Sequence, residues 1–342
     1  MGIMRRRRMV AVCSAVALIA VTATDGSVAG AKPPTPTPKV DKVRYDASTD
    51  AEYAALWTNP YGLLELDAGG TRTVTKKGTT VSAEPFHVGA DFGVFDHLKY
   101  IGISAQSFPV PEVGSLEFAV DITATTSGTE VGRVVDGCHG PAGSFVAVGD
   151  PCAQPFQQVV RQGQQAGVVL NMINFETGQL FDWFVSGNTV FALIERLPTE
   201  VTGSPGTPLD LAYTQIIKEA PIKPGKTHRV AIRYTRGPNT SRVEFFLDGK
   251  LFTKVDHVGI PLDVQGVPYS GYAPSTGPGE ELKDRLSSFQ IGHGLFSLLD
   301  AFPYQHSEAP ELSVSIPMSE RLFGQGATGR WDQFVVTTRT NC

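Results

Sequence analysis

His228-Arg-Val-Ala-Ile-Arg-Tyr234 is followed by Gly237-Pro-Asn239, Val243-Glu-Phe-Phe-Leu247, Asp248-Gly249 and Leu251-Phe-Thr-Lys-Val255. Three short runs of strand-forming residues are separated by two turn signals. Their alternation of apolar and polar positions has the period of a strand, not of a helix. Asp-Gly between such runs marks a two-residue type I′ turn, whose central positions both need positive φ. The segment from Arg229 to Val255 therefore reads as an antiparallel meander.

The same pattern recurs along the chain. From Ser115 to Ile122, Leu116, Phe118, Val120 and Ile122 share one face, and Glu117, Ala119 and Asp121 the other. Leu180 to Val185 and Thr189 to Leu197 flank Ser186-Gly187-Asn188, a hairpin with a Gly-containing turn. Further strands are expected at Phe289–Ile291, Leu312–Ile316 and Trp331–Thr337. No window of 12 or more residues sustains the apolar spacing of a helix. With 41% hydrophobic and 18% charged residues, the composition excludes a disordered or coiled-coil chain, and 36 Gly and 24 Pro supply turns. Many antiparallel strands, each apolar on one face, imply two packed sheets.

The N-terminus reads as an address. Arg5 to Arg8 form a positive region, Met9 to Ala23 an apolar run, and Ala29-Gly30-Ala31 a small-residue cleavage site. The run is shorter than the roughly 20 residues a membrane-spanning helix needs. Residues 1–31 are expected to be a secretory signal peptide, by the general or the twin-arginine route, and the protein to be secreted. Lys32-Pro-Pro-Thr-Pro-Thr-Pro-Lys39 is a stiff extended spacer, so that residues 32–40 precede a single domain at 41–342. Without residues 1–31 the chain carries 25 basic and 33 acidic side chains, net −8, which argues against nucleic acid or an anionic membrane as partner. Cys138 and Cys152 lie in a Gly/Pro-rich segment, and an oxidising compartment favours a disulfide between them, worth about 3 kcal/mol. Cys342 is left as a free thiol, an intermolecular link, or the alternative partner of either.

The meander, with Arg242-Val-Glu-Phe-Phe-Leu-Asp-Gly-Lys250, resembles strand units of the concanavalin A-like jelly rolls. Laminarinase-type glycoside hydrolases and laminin-G-like modules carry similar ones. Gly329-Arg-Trp-Asp-Gln-Phe-Val-Val336 resembles the closing strand of such domains. The chain also looks like a secreted bacterial group of unknown function within that superfamily, through Asp96-His-Leu-Lys-Tyr100 and Phe191-Ala-Leu-Ile-Glu-Arg-Leu-Pro198. The resemblance implies an all-β, two-sheet antiparallel jelly-roll sandwich with a glycan site on its concave sheet. It also implies a structural Ca²⁺, for which Asp332 is the candidate ligand, although no dense calcium loop is present. No other cofactor is expected.

Three constellations are candidates for chemistry. Laminarinase-type enzymes carry Glu-x-Asp-x-(x)-Glu on a strand, and Glu117-Phe-Ala-Val-Asp121 is the nearest match, with Ala119 where the middle carboxylate stands. Glu117 would be the nucleophile and Asp121 the acid/base. A retaining pair needs carboxyl groups about 5–5.5 Å apart. The second constellation is Asp182-Trp183 with Glu195-Arg196. Asp182 and Phe184 share one face, while Phe191, Leu193, Glu195 and Leu197 share another. Glu195 interrupts an apolar face, which calls for an Arg partner in the core or a cleft where a raised pKa makes a general acid. Trp183 would stack on a sugar or fill the core. The third is Asp96-His97-Leu98-Lys99-Tyr100, in which His97, Lys99 and Tyr100 form a potential proton relay. The Gln-x-His motif of alginate lyases is approached by Gln290-Ile-Gly-His293, one residue too long, which puts the two side chains on opposite faces. Gly-rich phosphate loops, His-Glu-x-x-His and Gly-x-Ser-x-Gly are absent.

The expectation is an extracellular protein that interacts with a polysaccharide or other glycan, without catalysis. The rivals are a polysaccharide-cleaving enzyme using Glu117, Asp121 or Glu195, and a structural envelope protein.

Overall fold

The computed structural model describes residues 38–59, 70–86, 98–129, 138–140, 166–197, 203, 213–258, 280–281, 286–297, 313–315 and 325–340. In chain order these form β1 (Lys39–Arg44), α1 (Asp50–Leu56), β2 (Trp57–Thr58), β3 (Thr71–Thr75), β4 (Gly78–Ala83), β5 (Leu98–Ser104), β6 (Phe108–Pro109) and β7 (Gly114–Ser127). Next come β8 (Cys138–Gly140), β9 (Ala166–Ile173), β10 (Gln179–Val185), β11 (Thr189–Arg196), β12 (Tyr213–Pro221), β13 (Thr227–Arg236) and β14 (Ser241–Leu247). The last are β15 (Lys250–Val255), β16 (His257–Val258), β17 (Glu280–Glu281), β18 (Ser288–Ser297), β19 (Ser313–Ser315) and β20 (Gly326–Thr340). The signal peptide, the Cys138–Cys152 pairing, Cys342, Asp96 and His97 lie outside the described residues, apart from the backbone of Cys138 in β8.

Two eight-stranded antiparallel sheets make a jelly-roll sandwich. Sheet A runs β15-β14-β13-β7-β20-β4-β3, with β1 also on β20. Sheet B runs β12-β11-β10-β9-β18-β5-β2, with β6 also on β18. The meander is β13-β14-β15. Its Asp248 and Gly249 have φ of 49° and 76°, as a type I′ turn requires.

The inner faces meet in one apolar core. Leu116, Phe118, Val120 and Ile122 of β7 face Val168, Leu170 and Met172 of β9 and Phe181 and Trp183 of β10. Two tryptophans join the sheets with their only polar atom. Trp183 Nε1 donates to Ala231 O at 2.8 Å, and Trp331 Nε1 to Val169 O at 2.9 Å. Trp331 and Phe334 are three residues apart and both point inward, which a regular strand forbids. A bulge between Asp332 and Val335, with Gln333 at φ 55°, reconciles them.

Among the described residues there is one helix. Thr49-Asp-Ala-Glu52 is a capping-box sequence: Glu52 N donates to Thr49 Oγ1 at 3.2 Å, and Ser48 N to Glu52 Oε2 at 2.7 Å. The helix brings Tyr53 into the core beside Tyr100 and His293. Tyr53 and Tyr100 hydroxyls are hydrogen-bonded, and Tyr53 Oη lies 2.9 Å from His293 Nε2. Gly102 leaves the room, since a Cβ there would lie 2.6 Å from His293 Cε1.

Candidate functional site

The outer face of sheet A carries cross-strand ion pairs. Alternation in Arg229-Val-Ala-Ile-Arg233 puts Arg229, Ala231 and Arg233 outward, opposite Asp121, Ala119 and Glu117 of β7. Arg233 Nε donates to Glu117 Oε2 at 2.7 Å, and Arg339 Nη1 approaches the same oxygen at 3.5 Å. Arg229 Nη1 donates to Asp121 Oδ1 at 3.1 Å and to Gln333 O at 2.7 Å. Between these two charged rows runs a low row of Phe246, Ala231, Ala119 and Val335, in register across four strands. The Arg233 guanidinium sits over the Phe246 ring at 4.3 Å. The result is a furrow with a small-residue floor, an aromatic at one end and fixed donors and acceptors on both walls.

Glu117 and Asp121 belong to those walls. Strand rise separates their Cα atoms by about 13 Å. Each carboxylate reaches across to its own arginine on β13 rather than along β7 toward the other. This arrangement lacks the convergence that a retaining pair needs.

Asp182 and Glu195 stand on the outer face of sheet B instead. The register Asp182↔Leu193 and Leu180↔Glu195 places Asp182 on the same sheet face as Phe191, Leu193 and Glu195, a correction to the separate faces expected from sequence. This face is dry. Leu180, Phe184, Phe191, Leu193, Ile173 and Phe296 surround the two carboxyl groups, with Phe184 and Phe191 stacked at 4.6 Å. Asp182 is fully buried and accepts from Asn171 Nδ2 at 2.7 Å. Desolvation, then the Glu195 charge, raises the Asp182 pKa well above the carboxylate range, while the Asn171 bond opposes the shift. These surroundings favour the protonated form of Asp182. An Arg partner in the core was one expectation for Glu195; a second carboxyl group meets it here.

Trp183 points the other way, with no exposed surface, into the core between the sheets. It fills the core, so the sugar-stacking alternative fails. Arg196 ends β11 opposite Gln179, and its side chain lies outside the described residues. Lys99 is buried, its Nζ 5.7 Å from the Phe86 ring centre. Tyr100, its neighbour in the expected relay, joins Tyr53 and His293 in the core. Burial lowers the His293 pKa to about 3, so the ring is neutral, and its Nδ1 has no hydrogen-bond partner among the described residues. Gln290 donates to Ser104 O at 2.7 Å, away from His293. Asp332 accepts from Gln333 N and pairs with Arg330 at 3.2 Å; no group of three or more metal-ligating residues occurs among the described residues. No described helix is long and apolar enough to cross a membrane. Sequence reasoning passed over Arg229, Arg233, Arg339 and Phe246, although the alternation in β13 was the available signal.

The chain belongs to the family of unknown function DUF6081, which matches residues 57–340. No curated protein matches it. Among solved structures, the chain is similar to an endo-1,3-beta-glucanase from Streptomyces sioyaensis, at 9% identity and TM-score 0.37, covering 91% of this chain and 100% of that one. It is similar to an inactivated mutant beta-agarase B in complex with agaro-octaose, at 9% identity and TM-score 0.42, covering 90% and 96%. It is also similar to arcelin-5, a lectin-like defense protein from Phaseolus vulgaris, at 9% identity and TM-score 0.32, covering 90% and 100%. The assignment of the fold rests on the strand pairing itself.

Proposed function

We propose that the protein is exported, is folded as one domain over residues 41–342, and interacts with glycans through the outer face of sheet A without cleaving them. The furrow between the Arg233–Glu117 and Arg229–Asp121 rows carries this reading. Sugar hydroxyls donate and accept at once, and rows of alternating guanidinium and carboxylate groups meet both needs. The Phe246 ring offers a face for the C–H side of a sugar. Their ion pairing keeps Glu117 and Asp121 as oriented binding groups rather than as nucleophile and acid.

Affinity electrophoresis of the exported chain in gels carrying plant, fungal or bacterial polysaccharides tests the proposal. Retardation by at least one class is expected, with loss in Arg233→Ala and in Phe246→Ala. No retardation in any gel overturns it.

A further inference from the structure

We infer that the open cleft at one end of the sandwich, between Arg236, Glu112, Pro238 and Leu286, binds one hexuronic acid unit, a sugar carrying a carboxylate. This cleft is separate from the furrow, and the inference does not rest on the function proposed there.

Three chain segments frame the cleft: Glu112 and Val113 leading into β7, Arg236 to Pro238 at the end of β13, and Leu286 and Ser287 leading into β18. Backbone and amide bonds hold them. Gly237 N donates to Thr240 O at 2.7 Å, Val110 N to Ser287 O at 3.0 Å, and Asn174 Nδ2 to Ser288 O at 2.8 Å. The volume is ≈ 400 Å³, within the roughly 300–1,000 Å³ of small-ligand pockets.

Arg236 is the informative residue. On the same sheet, Arg229, Arg233, Arg242, Arg330 and Arg339 each have a carboxylate oxygen no farther than 3.5 Å. Arg236 has no carboxylate partner among the described residues. Its Nη2 donates to Leu286 O, and its buried Nε has no acceptor among the described residues. A guanidinium carries five N–H donors and keeps its charge. Half-buried and without a carboxylate partner among the described residues, the guanidinium favours an incoming anion. Its planar fork matches a carboxylate.

Glu112 narrows the class. An exposed carboxylate in the same cleft accepts hydrogen bonds from hydroxyl groups, which a hexuronate carries beside its carboxylate and which sulfate lacks. Ser287 Oγ donates to Glu176 Oε2 at 3.0 Å, which leaves its lone pairs as acceptors. Val113, Pro238 and Leu286 give the apolar wall that the C–H face of a pyranose needs. Carboxylate, hydroxyl groups and an apolar ring face occur together in a hexuronate.

Titration calorimetry of the full exported chain with D-glucuronate and D-galacturonate, and with glucose, glycine and sodium sulfate as comparisons, tests the inference. A hexuronate is expected to bind with Kd of about 1 mM or tighter, and glucose and glycine about tenfold more weakly or worse. Arg236→Met should weaken the hexuronate about tenfold and Arg236→Lys less. Should Arg236→Met fail to fold for want of its bond to Leu286, Glu112→Gln on the surface serves instead, with hexuronate binding expected to fall relative to sulfate binding. A uronate-terminated oligosaccharide that binds more tightly than the monomer assigns a polymer end, and equal binding the free acid. No hexuronate binding, equal binding of glycine, or binding unmoved by both Arg236→Met and Glu112→Gln overturns the inference. Because polysaccharide retardation and hexuronate titration are separate readouts, failure of one is distinguishable from failure of the other.

Discussion

The two outer faces of the sandwich give their carboxylates opposite surroundings. On sheet A, Glu117 and Asp121 each meet a guanidinium at the water boundary. On sheet B, Asp182 lies in an apolar layer beside a second carboxyl group, and both raise its pKa. The residue type is the same, so the surroundings decide: an opposite charge favours ionisation, while desolvation and a like charge oppose it. A face built of ion pairs is available to a hydroxylated ligand, whereas a dry face behaves as a second core. Three β9 residues show how tightly that core is fitted. A Cβ on Gly292 would lie 2.7 Å from Asn171 Oδ1, Phe184 covers Gly167, and Val169 receives the Trp331 indole proton.

The largest expected effect tests the seam that joins these faces. Trp183→Ala removes a fully buried ring and its bond to Ala231, which floors the furrow on sheet A. A loss of about 3–5 kcal/mol is expected in urea unfolding. A small change would mean that the sheets are not packed through Trp183.

A pH series separates the two buried groups by sign. The His293 pKa falls from 6.5 to about 3 on folding, so the unfolded chain binds a proton that the native protein refuses. This contribution is complete above pH 6.5 and is lost as pH falls toward 3, by up to about 1.4 kcal/mol per pH unit. Asp182 has the opposite linkage. Its folded pKa is raised above the ordinary 3.8, so its contribution is complete below that value and is lost as pH rises through the folded pKa. Urea midpoints between pH 3 and 9 read both. Asp182→Asn should flatten the alkaline limb and leave the acid limb, and His293→Gln the reverse. At neutral pH, Asp182→Ala should cost about 1–3 kcal/mol, because Asn171 and Glu195 lose their partner.

How far the sequence discloses this molecule differs between the sheets for the same physical reason. The meander of sheet A was legible because one wet face imposes alternation, and Asp248-Gly249 fixed its turn. Glu195 stood out as a polar residue in an apolar row. The dry outer face of sheet B was not legible from alternation, since strands buried on both sides have no polar row; the signal there was the continuous run Ala166–Ile173. The Asp182–Glu195 meeting required the inter-strand register, which neither strand states alone. The bond between Tyr53 and His293 spans 240 positions, and no local pattern encodes it.

The smallest stability effect belongs to Glu117→Gln, and it bears most directly on function. Glu117 serves two arginines at a half-buried position, and the glutamine keeps shape and one acceptor while removing the charge. Exposed ion pairs contribute about 0.2–1 kcal/mol, so thermal unfolding should move by a degree or two at most. Polysaccharide retardation should change far more, because Arg233 and Arg339 lose the group that orients them on the furrow wall. If Glu117 were instead a nucleophile, the substitution would leave retardation intact and abolish sugar release. Running both assays on this one protein therefore decides whether the wet face holds a glycan or cuts it.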